Sequence, residues 1–160
     1  MSSAAHAASG HTTPPPELGD DALVDGFETA TLPPEAFRHR EHVRAAWIYG
    51  TRWPPEEALA RFCSALRRFA AAHGAAHRYH ATLSWAFVAI VLERIARGRP
   101  DRTFAEFAAD NPDLLTWDRG QSVVDHYYPR EVLESPLARS VFVMPPPTRS
   151  GRRRTGGPAG

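Results

Sequence analysis

Two pairs of histidines with the same spacing are the residues of this sequence best suited to chemistry. His39 and His42 lie in the run FRHREHVRAAW (37–47), and His77 and His80 lie in HRYH. Side chains three residues apart on a helix share one face, so each pair would present two imidazoles in the same direction. Because imidazole is the commonest protein ligand for transition metals near neutral pH, the two pairs are candidate halves of a metal site.

The stretches that carry the two pairs are predicted to be helices with short connections. The pattern places one helix over 34–51, a second from Pro54 to Gly74, and a third over 77–97. Proline suits the first turn of a helix, and glycine suits the left-handed position that follows its last turn. Short connections make consecutive helices antiparallel neighbours. The first and third of these helices should therefore run parallel and bring both histidine pairs to the same end of a bundle.

This topology predicts a metal site with His39, His42 and His80 as ligands. Three imidazoles and an open fourth position suit a catalytic divalent ion, on which water is acidified or dioxygen binds. Zinc, iron and copper all accept such donors, so the pattern does not choose among them. The predicted function is that of a metal-binding helical protein. It could extend to a metal-dependent enzyme that acts on a small-molecule substrate, although the reaction is not defined.

Two further residues are the candidate catalytic groups. Arg44 would hold an anionic group of the substrate, unless its different helix face gives it a structural salt bridge instead. Thr82, two residues after His80, would orient a ligand or a bound water through its hydroxyl. Both assignments depend on the metal site and have no local motif of their own.

The remaining titratable residues near the pairs stay open. His77 falls at the predicted turn, Glu35 shares a face with His39, His73 ends a helix, and His126 lies in the aromatic run DHYY. Each has an ordinary structural explanation: a cation suits a helix C-terminus, for example, without any other role. Their membership of the site is undecided at this level.

A function of a different class fits the same residues. In a non-catalytic helical binding module, the histidines, Arg44 and Tyr79 would form a polar pocket for a small molecule or a partner, with no metal. A regulatory protein acting through its apolar helix faces is a third possibility. The sequence lacks a G-x-S-x-G elbow, a glycine-rich phosphate loop and an H-E-x-x-H zinc motif, and its single cysteine, Cys63, excludes an intrachain disulfide.

The fold class predicted is all-α. We expect a compact single-domain helical bundle over 19–144, with three main helices followed by short C-terminal helices. The central helix should be the one containing WAFVAIVL (85–92), which is apolar on every side. The proline-rich segment 1–18 and the Arg/Pro/Gly segment 145–160 cannot bury enough apolar surface to fold, and they are predicted to be disordered tails.

Charge and hydropathy limit the partners. All 19 basic residues are arginines, and four of them lie in the C-terminal tail, so the net charge of +1 does not describe a basic surface that would follow a phosphate backbone. This argues against nucleic acid. No apolar run reaches the roughly 18 residues of a membrane span, and the N-terminus lacks the basic start and apolar centre of a secretory signal. A cytoplasmic protein is the expectation.

The same residues form a pattern that resembles a family of small, largely uncharacterised helical proteins from GC-rich bacteria. The pattern is F-x-H-x-x-H-x-R-x-A-W, then H-G, Y-H-x-T-x-(S/T) and FV-(L/M)-P, and here it covers about 35–145. The resemblance implies one domain with the same fold and carries no activity. It singles out His39, His42, Arg44, His80 and Thr82.

Overall fold

The computed structural model describes residues 18–118 and 121–147, and within these ranges the chain is helical and contains no β-strand. The all-α prediction is confirmed. The predicted tails lie almost entirely outside the described residues. The helices are α1 (Asp20–Glu28), α2 (His39–Arg52), α3 (Pro55–Ala72), α4 (Ala81–Arg97), α5 (Phe104–Asp110), α6 (Arg130–Leu133) and α7 (Pro136–Ser140). Short 3-10 turns over 34–36, 76–78, 112–115 and 123–126 lie between them.

Helices α2, α3 and α4 form the centre of the bundle, and each packs against the other two. Helix α1 lies against α2 and α3, and α7 lies against α4. This is the predicted arrangement of three main helices with shorter C-terminal ones. No helix in the described part of the chain is long and apolar enough to cross a bilayer.

A group of aromatic rings joins α1 to the rest of the bundle. The ring centroid of Phe27, which is fully buried, lies 4.3 Å from that of Phe37, 5.5 Å from that of Phe62 and 5.8 Å from that of Phe69. Burial of large side chains is the main favourable contribution to such a core. Because Phe37 is held in this group, the chain enters α2 at a defined place two residues later.

Two helix starts differ from the prediction. The helix expected over 34–51 is divided, because Phe37 takes a non-helical conformation (φ −122°, ψ 69°) after the 3-10 turn Pro34–Ala36, and α2 begins only at His39. The helix expected from residue 77 begins at Ala81, with His80 as its N-cap. Glu35 therefore does not share a helix face with His39.

The end of α3 follows the predicted glycine signal. Gly74 has a positive φ of 67°, its N–H donates to the Ala71 carbonyl at 3.1 Å, and the Ala75 N–H donates to the Ala70 carbonyl at 2.7 Å. These two hydrogen bonds form the Schellman motif, which satisfies carbonyls left unpaired by the last helical turn.

Replacing Gly74 with alanine is expected to lower the free energy of unfolding by about 1 kcal/mol, because an L-residue is strained at this φ. A Cβ at this position would meet no atom within 4 Å, so the cost is that of the backbone alone. Urea denaturation measures it. Gly74→Asn is the matched control, since asparagine tolerates the left-handed region and should retain most of the stability. An alanine variant as stable as the wild type would contradict the expectation.

Candidate functional site

A cavity of about 540 Å³ lies where α2 and α4 begin and α3 ends. The structure brings His39, His42 and His80 to this one cavity, as the topology predicted, and adds His73. His77 is exposed and does not line it. Around the four imidazoles the lining is mainly apolar and aromatic, and it consists of Pro34, Phe37, Arg38, Phe62, Leu66, Phe69, Ala70, Ala75, Arg78, Tyr79, Leu83, Ser84, Phe87 and Trp117.

His39 is held by a hydrogen bond and by two aromatic neighbours. Its Nε2 lies 2.7 Å from the Leu114 carbonyl oxygen, so this nitrogen carries the proton and donates. The ring stacks on Trp117 with centroids 4.9 Å apart and lies 5.6 Å from the ring of Phe87. Burial lowers the pKa of His39, although the bond to Leu114 and the charge of Glu41 oppose that shift. The neutral ring keeps Nδ1 as a free lone pair.

The ring of His42 has an aromatic neighbour and makes no hydrogen bond to the described residues. Its ring lies 4.4 Å from the ring of Phe37. Burial, with a smaller contribution from the nearby His39, lowers the pKa of His42 from 6.5 to about 4. The imidazole is therefore neutral at pH 7, with one N–H to donate and one nitrogen to accept.

His80 lines the cavity, but the fold uses both of its ring nitrogens. Its Nε2 donates to the Leu133 carbonyl at 2.8 Å, and its Nδ1 accepts the Leu83 N–H at 3.2 Å. The first bond joins the end of α6 to the start of α4, and the second caps α4. As a metal ligand, His80 would have to give up one of these bonds.

His73 is the cavity residue that the sequence did not assign to the site. It is the C-cap of α3, its ring lies 4.5 Å from the ring of Phe69, and its Nε2 is buried without a hydrogen-bond partner among the described residues. The one sequence signal for its position is the glycine that follows, because a left-handed residue there turns the chain back towards α4. Nothing in the sequence shows that its nitrogen is left unpaired.

Arg44 lies in a structural ion pair and does not line the cavity. Its Nη2 and Nε lie 2.6 Å and 2.9 Å from the same oxygen of Asp20, and its side chain is only 12% exposed. The pair joins the start of α1 to α2. This is the structural alternative that its helix face already suggested.

Thr82 is fully buried and fixes the C-terminal segment to α4. Its hydroxyl donates to the Val141 carbonyl at 2.9 Å and accepts the Val143 N–H at 3.0 Å. It does not line the cavity either. The structure thus places both candidate catalytic residues in contacts that hold the bundle together.

The donors needed for a metal site are not grouped in the described residues, where no three His, Cys, Asp or Glu side chains are arranged to hold an ion. Glu35 is exposed and outside the cavity, as is His126. Cys63 is buried, and burial raises the pKa of its thiol to about 11, which disfavours the thiolate that binds metals. The metal hypothesis therefore depends on His39 and His42 and on a rearrangement that supplies further ligands.

Compared with models of protein families, with curated proteins and with solved structures, the chain matches none of them.

Proposed function

We propose that the protein is a non-catalytic helical module that binds a small molecule in the histidine-lined cavity. A volume of about 540 Å³ lies within the range of roughly 300–1,000 Å³ typical of ligand pockets. Such pockets combine apolar and aromatic walls with a few polar groups that fix the ligand's orientation. Aromatic rings and four imidazoles provide that combination here.

The observation that carries the proposal is the pair of imidazoles without partners. The Nε2 atom of His73 is buried and has no partner among the described residues, and the ring of His42 makes no hydrogen bond to them. Leaving a buried polar group unpaired costs about 1–3 kcal/mol, so native proteins pair such groups with protein, water or ligand. A buried, unpaired nitrogen of His73, together with a His42 ring on the same cavity that makes no hydrogen bond to the described residues, indicates a site that is completed from outside the chain.

Metal binding stays the second candidate for the same cavity. It is favoured by the free nitrogen of His39 and by the closeness of His39 to His42, because a charge on His39 lowers the pKa of His42. It requires further ligands, from water, a bound molecule or a moved side chain. In either case the expected location is the cytoplasm.

Filling the cavity with a side chain tests the first candidate. Ala70 lines the cavity, whereas the next residue, Ala71, is exposed on the same helix. N-phenyl-1-naphthylamine, a neutral aromatic probe that becomes fluorescent in apolar surroundings, should bind the wild type with saturation at one equivalent. Ala70→Phe should weaken that binding about tenfold or more, and the matched control Ala71→Phe should leave it unchanged. Equal binding by all three proteins, or none by the wild type, would contradict the proposal.

A zinc titration separates the two candidates. Under the ligand-pocket proposal, we expect no stoichiometric zinc binding to the wild type that is lost in the His42→Ala variant. Stoichiometric zinc binding that His42→Ala abolishes, and that the exposed-site control His126→Ala retains, would favour the metal site instead.

A further inference from the structure

The charges around the cavity favour an anion. Among the described residues no aspartate or glutamate lines it, whereas Arg38 and Arg78 do, and both arginines are exposed. The carboxylate of Glu41 accepts the Arg38 backbone N–H at 3.1 Å, and Glu41 is not part of the lining. The Arg78 side chain makes no hydrogen bond or ion pair to the described residues. Its guanidinium can therefore pair with an incoming acid, and this group matches a carboxylate with two parallel N–H donors.

The hydrogen-bond donors lie along one side of the cavity. The ring of His42 contacts that of Phe37, Phe37 contacts Phe69 with centroids 5.0 Å apart, and Phe69 contacts His73. This row of rings ends at His73, and the connection that follows supplies Arg78. A neutral imidazole can donate one N–H, and a carboxylate oxygen accepts it. The connection between α3 and α4 is thus the polar end of the cavity.

A second set of flat rings lines the cavity and adjoins the first where His39 lies near His42. His39 stacks on Trp117, and the rings of Trp117 and Phe87 are nearly perpendicular with their centroids 6.0 Å apart. Trp117 lines the cavity although it is 46% exposed, so an aromatic face is available at the opening. Such walls favour planar ligands, because offset-stacked and edge-to-face ring contacts are worth about 0.5–1.5 kcal/mol beyond simple burial.

From these three features we infer that the ligand is an aromatic carboxylic acid, bound as its anion. Its ring contacts the aromatic lining that includes Phe87 and Trp117, and its carboxylate faces His73 and Arg78. This inference rests on the proposed function, since it names the ligand class of the same cavity.

Isothermal titration of the full chain at pH 7 tests the inference with two probes of nearly equal shape, 2-naphthoate and its neutral amide, 2-naphthamide. The acid should bind at least about tenfold more tightly than the amide. Arg78→Gln should weaken 2-naphthoate about tenfold and leave 2-naphthamide unchanged. Arg97→Gln removes the same charge from an exposed position in the last turn of α4, away from the cavity, and should change neither affinity.

The outcomes separate the ligand class from the pocket itself. Equal affinity for the acid and the amide would contradict the assignment of a carboxylate ligand but not the proposed ligand pocket. Tighter binding of decanoate, an aliphatic acid of similar size, would overturn the aromatic part. Absence of binding by both naphthyl probes and by N-phenyl-1-naphthylamine would overturn the proposed function and the inference with it.

Discussion

Replacing His80 with alanine is expected to lower the free energy of unfolding by about 3 kcal/mol. The change removes the donor to the Leu133 carbonyl and the acceptor of the Leu83 N–H, both at a buried position. An unpaired buried carbonyl costs about 1–3 kcal/mol, and loss of an N-cap side chain costs about 0.5–2 kcal/mol. Chemical denaturation at pH 7 gives the difference directly.

Two controls make the His80 result specific. His80→Asn restores an N-cap acceptor without reaching Leu133, so it should recover about 1 kcal/mol of the loss. His77→Ala changes an exposed histidine of the preceding 3-10 turn, and its effect should stay within about 0.5 kcal/mol. A His80→Ala protein as stable as the wild type would show that these two hydrogen bonds do not hold α4 and α6 together.

The same experiment distinguishes a structural His80 from a ligating one. If His80 acts through Leu83 and Leu133, adding a chelator to the wild type leaves its free energy of unfolding unchanged. If His80 instead holds a metal that supports the fold, the chelator should reproduce most of the loss caused by the alanine variant.

His42 is expected to make the protein less stable as the pH falls from about 7 to 4. Its pKa is about 4 in the folded state and 6.5 in the unfolded state, so between these values the unfolded chain binds a proton that the folded one does not. Stability therefore decreases with falling pH in this window, and the loss is complete below pH 4. The full shift corresponds to roughly 3 kcal/mol, and because the ring keeps some access to solvent we expect about 2 kcal/mol.

Unfolding free energies at pH 7, 6, 5 and 4 test this expectation. The change between pH 7 and 4 should be about 2 kcal/mol smaller in His42→Gln than in the wild type, because glutamine does not titrate. His39, whose pKa is lowered in the same direction, keeps part of the dependence in the variant. His126→Gln, at an exposed site, is the control and should follow the wild type. Identical pH profiles for the wild type and His42→Gln would contradict a neutral, enclosed His42.

The polar groups that line the cavity limit which other ligands it can bind. His80 contributes its ring surface but no free nitrogen. The groups available to a bound molecule include those of His42, His73 and Arg78, the Nδ1 atom of His39, and the Tyr79 hydroxyl, which is buried without a partner among the described residues. A molecule that satisfies the two imidazoles should also raise stability by mass action. Thermal stabilisation by 2-naphthoate is thus a simple parallel readout of the titrations.

The sequence by itself determined the helical class, the order of the three main helices and the meeting of His39, His42 and His80 at one end of the bundle. It could do so because these features follow from local signals. Apolar spacing indicates helices, Gly74 marks the end of α3, and short connections force neighbouring helices to run antiparallel. A short-range pattern is readable in a single chain, since the residues that create it are close together.

Only the tertiary structure decided what those side chains do. His80 bonds to a carbonyl 53 residues away, Thr82 to backbone groups about 60 residues away, and Arg44 to a carboxylate 24 residues away. His73 joined the cavity with its nitrogen unpaired, while His77 stayed outside. Every residue offers a backbone carbonyl, so no residue type in the sequence marks the one that a histidine will choose. The packing of distant segments determines the partner. It therefore also determines whether an imidazole is free or stabilises the fold.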